Sequence, residues 1–182
     1  MTPKLSDRHL LDTLDTLAGI GSIDGGGCAR LALTDEDKAG RDLVVGWMKA
    51  LGLEVRIDAI GNVIGLRAGR ENLAPVMTGS HIDTVRTGGR YDGNYGVLAG
   101  LEVVRALNQA GMTTRRPIAV AFFTNEEGAR PRSGPRSPQC QPLLARRKVK
   151  IPTAFGLQPG RFFIIIEVAL ALVLLFRSHV QT

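Results

Sequence analysis

The sequence predicts an α/β fold, a three-layer sandwich in which a mostly parallel sheet is flanked by helices. Two unbroken apolar stretches, APVMTGSH (residues 74–81) and PIAVAFFTNEE (117–127), have the length of buried strands and close on polar groups. Between them, residues 96–110 carry Val97, Leu101, Val104 and Leu107 at helical spacing, with Gly111 as the stop. Strand, helix, strand in that order implies a parallel crossover and a sheet covered on both faces.

The remaining elements follow from local signals. Leu10, Leu11, Leu14 and Leu17 are spaced as on a helix that ends at Gly19. GIGSIDGGGCAR, residues 19–30, is rich in glycine, but a helix precedes it where a dinucleotide fingerprint needs a strand, so it reads as a loop. Thr34 followed by Asp37 resembles a capping box with Asp in place of Glu or Gln. The helix it opens carries Leu43, Val44, Trp47, Met48 and Leu51 on one face and ends at Gly52. LEVRIDAIGNVIGLRAG alternates like two short strands joined around Gly61-Asn62.

Charge divides the chain in two. Residues 1–130 hold 15 Lys and Arg against 16 Asp and Glu, whereas residues 131–182 hold 8 basic residues and the single acid Glu167. The net charge of +6 is therefore a property of the tail, and no basic residues interleaved with aromatics mark a nucleic-acid surface. Two distant cysteines, Cys28 and Cys140, form neither a disulfide framework nor a zinc finger. The N-terminus has acids every few residues and no apolar h-region, which points away from a signal peptide and toward the cytoplasm.

The chemistry gathers at the strand ends. His81 and Asp83 close the first strand, Glu126 and Glu127 close the second, and Asp92 stands just before the intervening helix. In open α/β sheets, ligands bind beyond the carboxyl ends of strands, and the crossover brings these positions to one edge. A histidine among several carboxylates with no base between them suits a divalent metal, which removes the mutual repulsion. Alternation puts His81 and Asp83 on one side, where Asp83 can hold the far ring nitrogen of a metal-bound imidazole. Asp92 has two oxygens with which to bridge two ions. The adjacent glutamates diverge, so one can bind metal while the other takes a proton from the attacking water.

MTGSHIDTV, GGRYDGNYGVLAGLEVVRAL and AFFTNEEGAR, together with GGGCARLALTDED and DAIGNVIG, resemble the N-terminal part of the N-carbamoyl-L-amino-acid hydrolases, allantoate amidohydrolases and beta-ureidopropionases. These are dinuclear metal amidohydrolases related to the zinc aminoacylases and carboxypeptidases. The similarity spans about Leu10 to Arg130. It implies a zinc-exopeptidase-like fold and two divalent ions (zinc, or manganese, cobalt or nickel). His81 and Glu127 would be ligands, Asp92 the bridge, Glu126 the base, and Asp83 the support of His81. It further implies a small ureido-type substrate, a homodimer, and additional histidine ligands and a smaller dimer-forming domain beyond the matching stretch.

After Arg130 the composition changes within one residue. PRSGPRSPQCQPLLARRKVK has 4 prolines and 6 basic residues in 20 positions and no acid. The expectation is therefore two regions: 1–130, the N-terminal part of a metallohydrolase domain, and 131–182, an unmatched tail of the kind a shifted reading frame produces. The run 162–176 is apolar except for Glu167 and is shorter than the about 20 residues of a spanning helix. A membrane span is thus not expected, and the sheet is expected to keep an unpaired edge. The function implied is hydrolysis of a linear C–N bond in N-carbamoyl amino acids or allantoate, inactive in a truncated chain. The alternatives are a non-catalytic α/β fragment with weak metal binding and a tail-anchored protein.

Overall fold

A computed structural model describes residues 2–130 and the backbone of a strand at 163–166. Three helices, α1 (Asp7–Ala18), α2 (Asp35–Ala50) and α3 (Asn94–Gln109), alternate with seven strands. These are β1 (Ser22–Ile23), β2 (Gly27–Cys28), β3 (Glu54–Ile57), β4 (Val63–Arg67), β5 (Val76–His81), β6 (Ile118–Phe123) and β7 (Phe163–Ile166). The crossover is as expected: β5 and β6 pair in parallel, Val76 opposite Ile118 through His81 opposite Phe123, with α3 between them in the chain.

Side-chain caps open α1 and α2, the second at the predicted Thr34. Ser6 Oγ accepts from the His9 amide at 3.1 Å to open α1, and Thr34 Oγ1 accepts from the Asp37 amide at 3.2 Å to open α2. Asp37 does not complete a capping box, because its carboxylate accepts instead from the Leu33 amide at 2.9 Å. Both α2 and α3 close in a Schellman arrangement. Leu53 N–H donates to Met48 O and Gly52 N–H to Lys49 O; likewise Met112 donates to Leu107 and Gly111 to Asn108. Positive φ values of 77° at Gly52 and 63° at Gly111 explain why glycine stands at both stops.

Three expectations change. The glycine-rich segment is not merely a loop, because Ser22–Ile23 and Gly27–Cys28 pair antiparallel around Gly25 and Gly26, both at positive φ. The sheet is mixed, not mostly parallel: its order is β3-β4-β6-β5-β7, and β3–β4 and β4–β6 are antiparallel. The reason is that the predicted β3–β4 hairpin docks on the sheet through β4, against β6 and not against its chain neighbour β5. The unmatched tail also adds to the sheet, since Phe163–Ile166 pairs in parallel with Val76–Gly79. The Pro-rich segment 131–161 and the rest of 162–176 lie outside the described residues. Among the described residues no helix is long and apolar enough to cross a membrane.

The core sits between the helices and one face of the sheet. Leu14 and Leu17 of α1, Val44 and Met48 of α2, and Val97, Leu101 and Val104 of α3 pack with Val63, Val120 and Phe122. The intervening residues of the strands, Ile64, Met77, Ala119 and Ala121, form a second buried cluster on the opposite face. Both faces of β6 are thus buried, as its unbroken apolar sequence requires.

α1 is tied to α3 by a buried carboxylate. Glu102 accepts from the Ser6 amide at 2.6 Å, lies 2.9 Å from His9 Nδ1, and receives Arg105 Nε and Nη2 at 2.6 and 2.5 Å. Burial alone would raise this carboxyl, but the Arg105 guanidinium and the Ser6 amide hold it below the ordinary glutamate value. Its contribution is therefore fully present above the unfolded value, about 4.3, and is lost as pH falls through the lowered folded value. Glu102→Gln is expected to cost about 1.5–3 kcal/mol at neutral pH. Urea denaturation of both proteins at a series of pH values checks this: the gap should hold near neutrality and close in acid.

Candidate active site

β5 ends at His81, which is 6% exposed, and continues through Ile82 and Asp83, exposed by 1% and 2%. The backbone of this segment fixes the imidazole. His81 Nδ1 lies 2.9 Å from the carbonyl of Asp83, and a carbonyl can only accept, so Nδ1 carries a proton and Nε2 is the ring nitrogen turned toward the acidic cluster. The far ring nitrogen is thus held by the main chain of Asp83 and not by its side chain. The Asp83 carboxylate instead faces the Glu126 and Glu127 amides, each at 3.4 Å. One residue joins the two strand ends in this way.

The acidic pair is displaced from its expected place. β6 stops at Phe123, and Glu126 and Glu127 lie in the turn beyond it, bracketed by Asn125 and Gly128 at φ of 56° and 61°. The turn is anchored by Asn62 Oδ1, which accepts from the Thr124 amide at 3.0 Å. Arg41 also reaches Thr124 Oγ1, at 3.2 Å, and its guanidinium lies 5.1 Å from the centre of the Phe122 ring. Asp92 sits where expected, immediately before Gly93 at the N-cap of α3.

These elements bring the predicted residues to one edge of the sheet. His81 Nε2 is 3.5 Å from Glu126 Oε2 and 4.0 Å from Asp92 Oδ1. Glu127 is pushed above the ordinary glutamate value, first by burial and then by the Asp92, Glu126 and Asp83 carboxylates, with only His81 opposing them. An acidic cluster with an open imidazole nitrogen is the donor chemistry that a divalent cation neutralises. His81, Asp92 and Glu127 are the side chains the sequence offers as its ligands. Among the described residues no three His, Cys, Asp or Glu side chains close around a single point, so the set stands open.

Arg30 is the residue that sequence reasoning passed over. It is fully buried. Its Nε donates to Ile82 O at 2.8 Å and its Nη1 to Leu17 O and Ile20 O at 2.9 and 2.8 Å. Nη1 also lies 3.2 Å from Cys28 Sγ, and Nη2 donates to Asn94 Oδ1 at 3.0 Å. An arginine within the small and apolar run CARLAL was the available signal. Gly93 is the second residue missed. A Cβ built there would come within 2.5 Å of His81 Cε1, and its φ is 65°.

Gly93→Ala is therefore expected to cost about 1–3 kcal/mol from backbone strain and to push the His81 ring aside. Gly89, with open space around it, supplies the control. The His81 ring resonances should move in Gly93→Ala and stay in place in Gly89→Ala.

Residues 77–161 match Peptidase family M20/M25/M40. An N-carbamoyl-L-amino acid amidohydrolase of Geobacillus stearothermophilus is 44% identical over 131 residues, covering 71% of this chain and 32% of the relative. A ureidoglycolate hydrolase of Oryza sativa is 39% identical over 118 residues, 64% of this chain and 24% of that protein. Among solved structures, an amidase of the hydantoinase/carbamoylase family from Burkholderia vietnamiensis superposes with a TM-score of 0.69 at 56% identity, covering 70% of this chain and 31% of that one. The chain thus spans about a third of the length of the carbamoylase-named relatives it matches. By name these relatives are hydrolases, one of them an amidohydrolase. Residues 77–161 thus match the M20/M25/M40 family, and over its N-terminal part the chain is similar to the N-carbamoyl-L-amino-acid amidohydrolases.

Proposed function

We propose that this chain carries the N-terminal, donor-bearing part of a metal-dependent amidohydrolase that cleaves the linear C–N bond of a ureido group, as in N-carbamoyl amino acids or allantoate. The observation that carries the reading is the meeting of His81 Nε2 with Glu126 and Asp92, at 3.5 and 4.0 Å, from two strand ends and a helix start. The ureido chemistry is supported by the names of the relatives, N-carbamoyl-L-amino acid amidohydrolase and ureidoglycolate hydrolase.

A divalent cation held by His81, Asp92 and Glu127 would polarise the carbamoyl oxygen and ease deprotonation of the attacking water. The chain's own residues do the rest. The Asp83 carbonyl keeps the proton on His81 Nδ1, so Nε2 stays available as a donor atom. Glu126, partly exposed beside that nitrogen, takes a proton from water and returns it to the leaving nitrogen. Asp83 sets both glutamates through their amides. The substrate-reading surface and the remaining ligands are assigned to the portion of the relatives that this chain does not span.

The open ligand set favours a second reading of the chain by itself, a non-catalytic domain that binds metal weakly. Calorimetric titration with zinc is expected to give micromolar affinity at most, lost in His81→Ala and Asp92→Ala. Tight binding of two ions would contradict the open set. Hydrolysis of an N-carbamoyl amino acid is expected at no more than the rate of a Glu126→Gln control, because residues of a coupled site fail together. Turnover that the control lacks would instead show a complete active site.

A further inference from the structure

We propose that Arg30 is a positioning residue for the candidate site: it sets the distance between the segment that carries His81 and the loop that carries Asp92. The inference rests on the metal-site reading for its functional meaning but not for its geometry.

Arg30 bonds directly to both donor-bearing segments. At the end of β5, its Nε donates to Ile82 O at 2.8 Å, while its backbone N–H donates to Thr84 Oγ1 at 2.7 Å and its carbonyl accepts from the Thr84 amide at 2.9 Å. Asp83 lies between these two attachments. At the start of α3, its Nη2 donates to Asn94 Oδ1 at 3.0 Å, and Asn94 Nδ2 in turn donates to Arg90 O at 3.0 Å, so the loop containing Asp92 and Gly93 is held at both ends. The guanidinium plane is rigid, so the bonds from Nε and Nη2 fix two separate segments relative to one another. A lysine, with a single ammonium on a flexible stem, cannot reproduce them.

The surroundings are built to admit this side chain. At Gly40 of α2, a Cβ would come within 2.7 Å of Arg30 Cδ, so the helix passes over the arginine only because position 40 has no side chain. Burial pushes the guanidinium below its ordinary value, opposed by Cys28, Asp37 and Asp83. Burial of so costly a group near the site, with each segment it ties adjoining a candidate ligand, distinguishes a positioning role from general packing.

The test uses the 182-residue chain without metal and reads the nuclear Overhauser contact between the His81 ring and the Gly93 α-protons, which report the spacing directly. The contact is expected in the unmodified chain and in Glu102→Gln, which weakens the fold away from the site, and is expected to be lost in Arg30→Lys. Retention in folded Arg30→Lys would overturn the proposal. If Arg30→Lys does not fold, Asn94→Ala decides, since it cuts one bond from Arg30 to the loop: a weakened contact supports the role and an unchanged one overturns it. A second arm titrates zinc alone. Arg30→Lys should bind about 10–100-fold more weakly than the unmodified chain, with Glu102→Gln unchanged; equal losses in both variants would overturn the proposal. Absence of zinc binding by the unmodified chain would overturn the metal reading, and the ring contact would still decide the role of Arg30.

Discussion

A guanidinium removed from water has to find acceptors for its donors inside the protein, and Arg30 finds them in four places: the end of α1, the β2 cysteine, the end of β5 and the start of α3. Removing it would take the donor from the Ile82 carbonyl and from Asn94 Oδ1 in a site closed to solvent, a loss larger than that of a surface ion pair. The surrounding segments have little regular structure of their own. β1 and β2 are two residues each, and the stretch from Ile82 to Gly93 lies outside the strands and helices of the sheet. Their mutual arrangement depends on this side chain as much as on the sheet beneath them.

The sheet sets the rest. Parallel pairing of β5 with β6 brings His81 beside Phe123, so that the chain leaves both strands at the same edge. The antiparallel β3–β4 hairpin contributes differently. It presents Asn62 to the Thr124 amide and Gly61 O to Arg41, and thereby holds the turn with the two glutamates. Asp83 completes the join across the gap. The acidic cluster exists because three separate backbone arrangements converge, and the Glu127 carboxyl is raised first by the burial this brings and then by its acidic neighbours.

Much of this was legible in the sequence because it is local. The glycine stops at Gly52 and Gly111, the Ser/Thr-type cap of α2, the hairpin at Gly61-Asn62 and the apolar faces of α2 and α3 all follow from short-range rules, and the nearness of His81, Asp92 and Glu126 follows from the order strand, helix, strand. The illegible part is non-local. No pattern in VIGLR indicates that β4 joins β6 in place of β5. The side chain of Asp83 was expected at the His81 ring because alternation favours it, yet a backbone carbonyl lies nearer and the carboxylate finds two amides instead. Arg30 was missed because charge suggests surface, and nothing within a few residues of it announces acceptors that lie up to 64 positions away.

The pairing of β7 with β5 has a consequence for the order of assembly. Val76 meets Phe163 across about 87 residues of chain, whereas the β5–β6 pairing closes over about 42. Closing the longer loop costs little more entropy at equilibrium, but contacts of high sequence separation are slow to form. As the polypeptide emerges during synthesis, the helices, the hairpin and β6 are all available before residue 163 exists. The strand that carries His81 is therefore the last to have both of its sides paired.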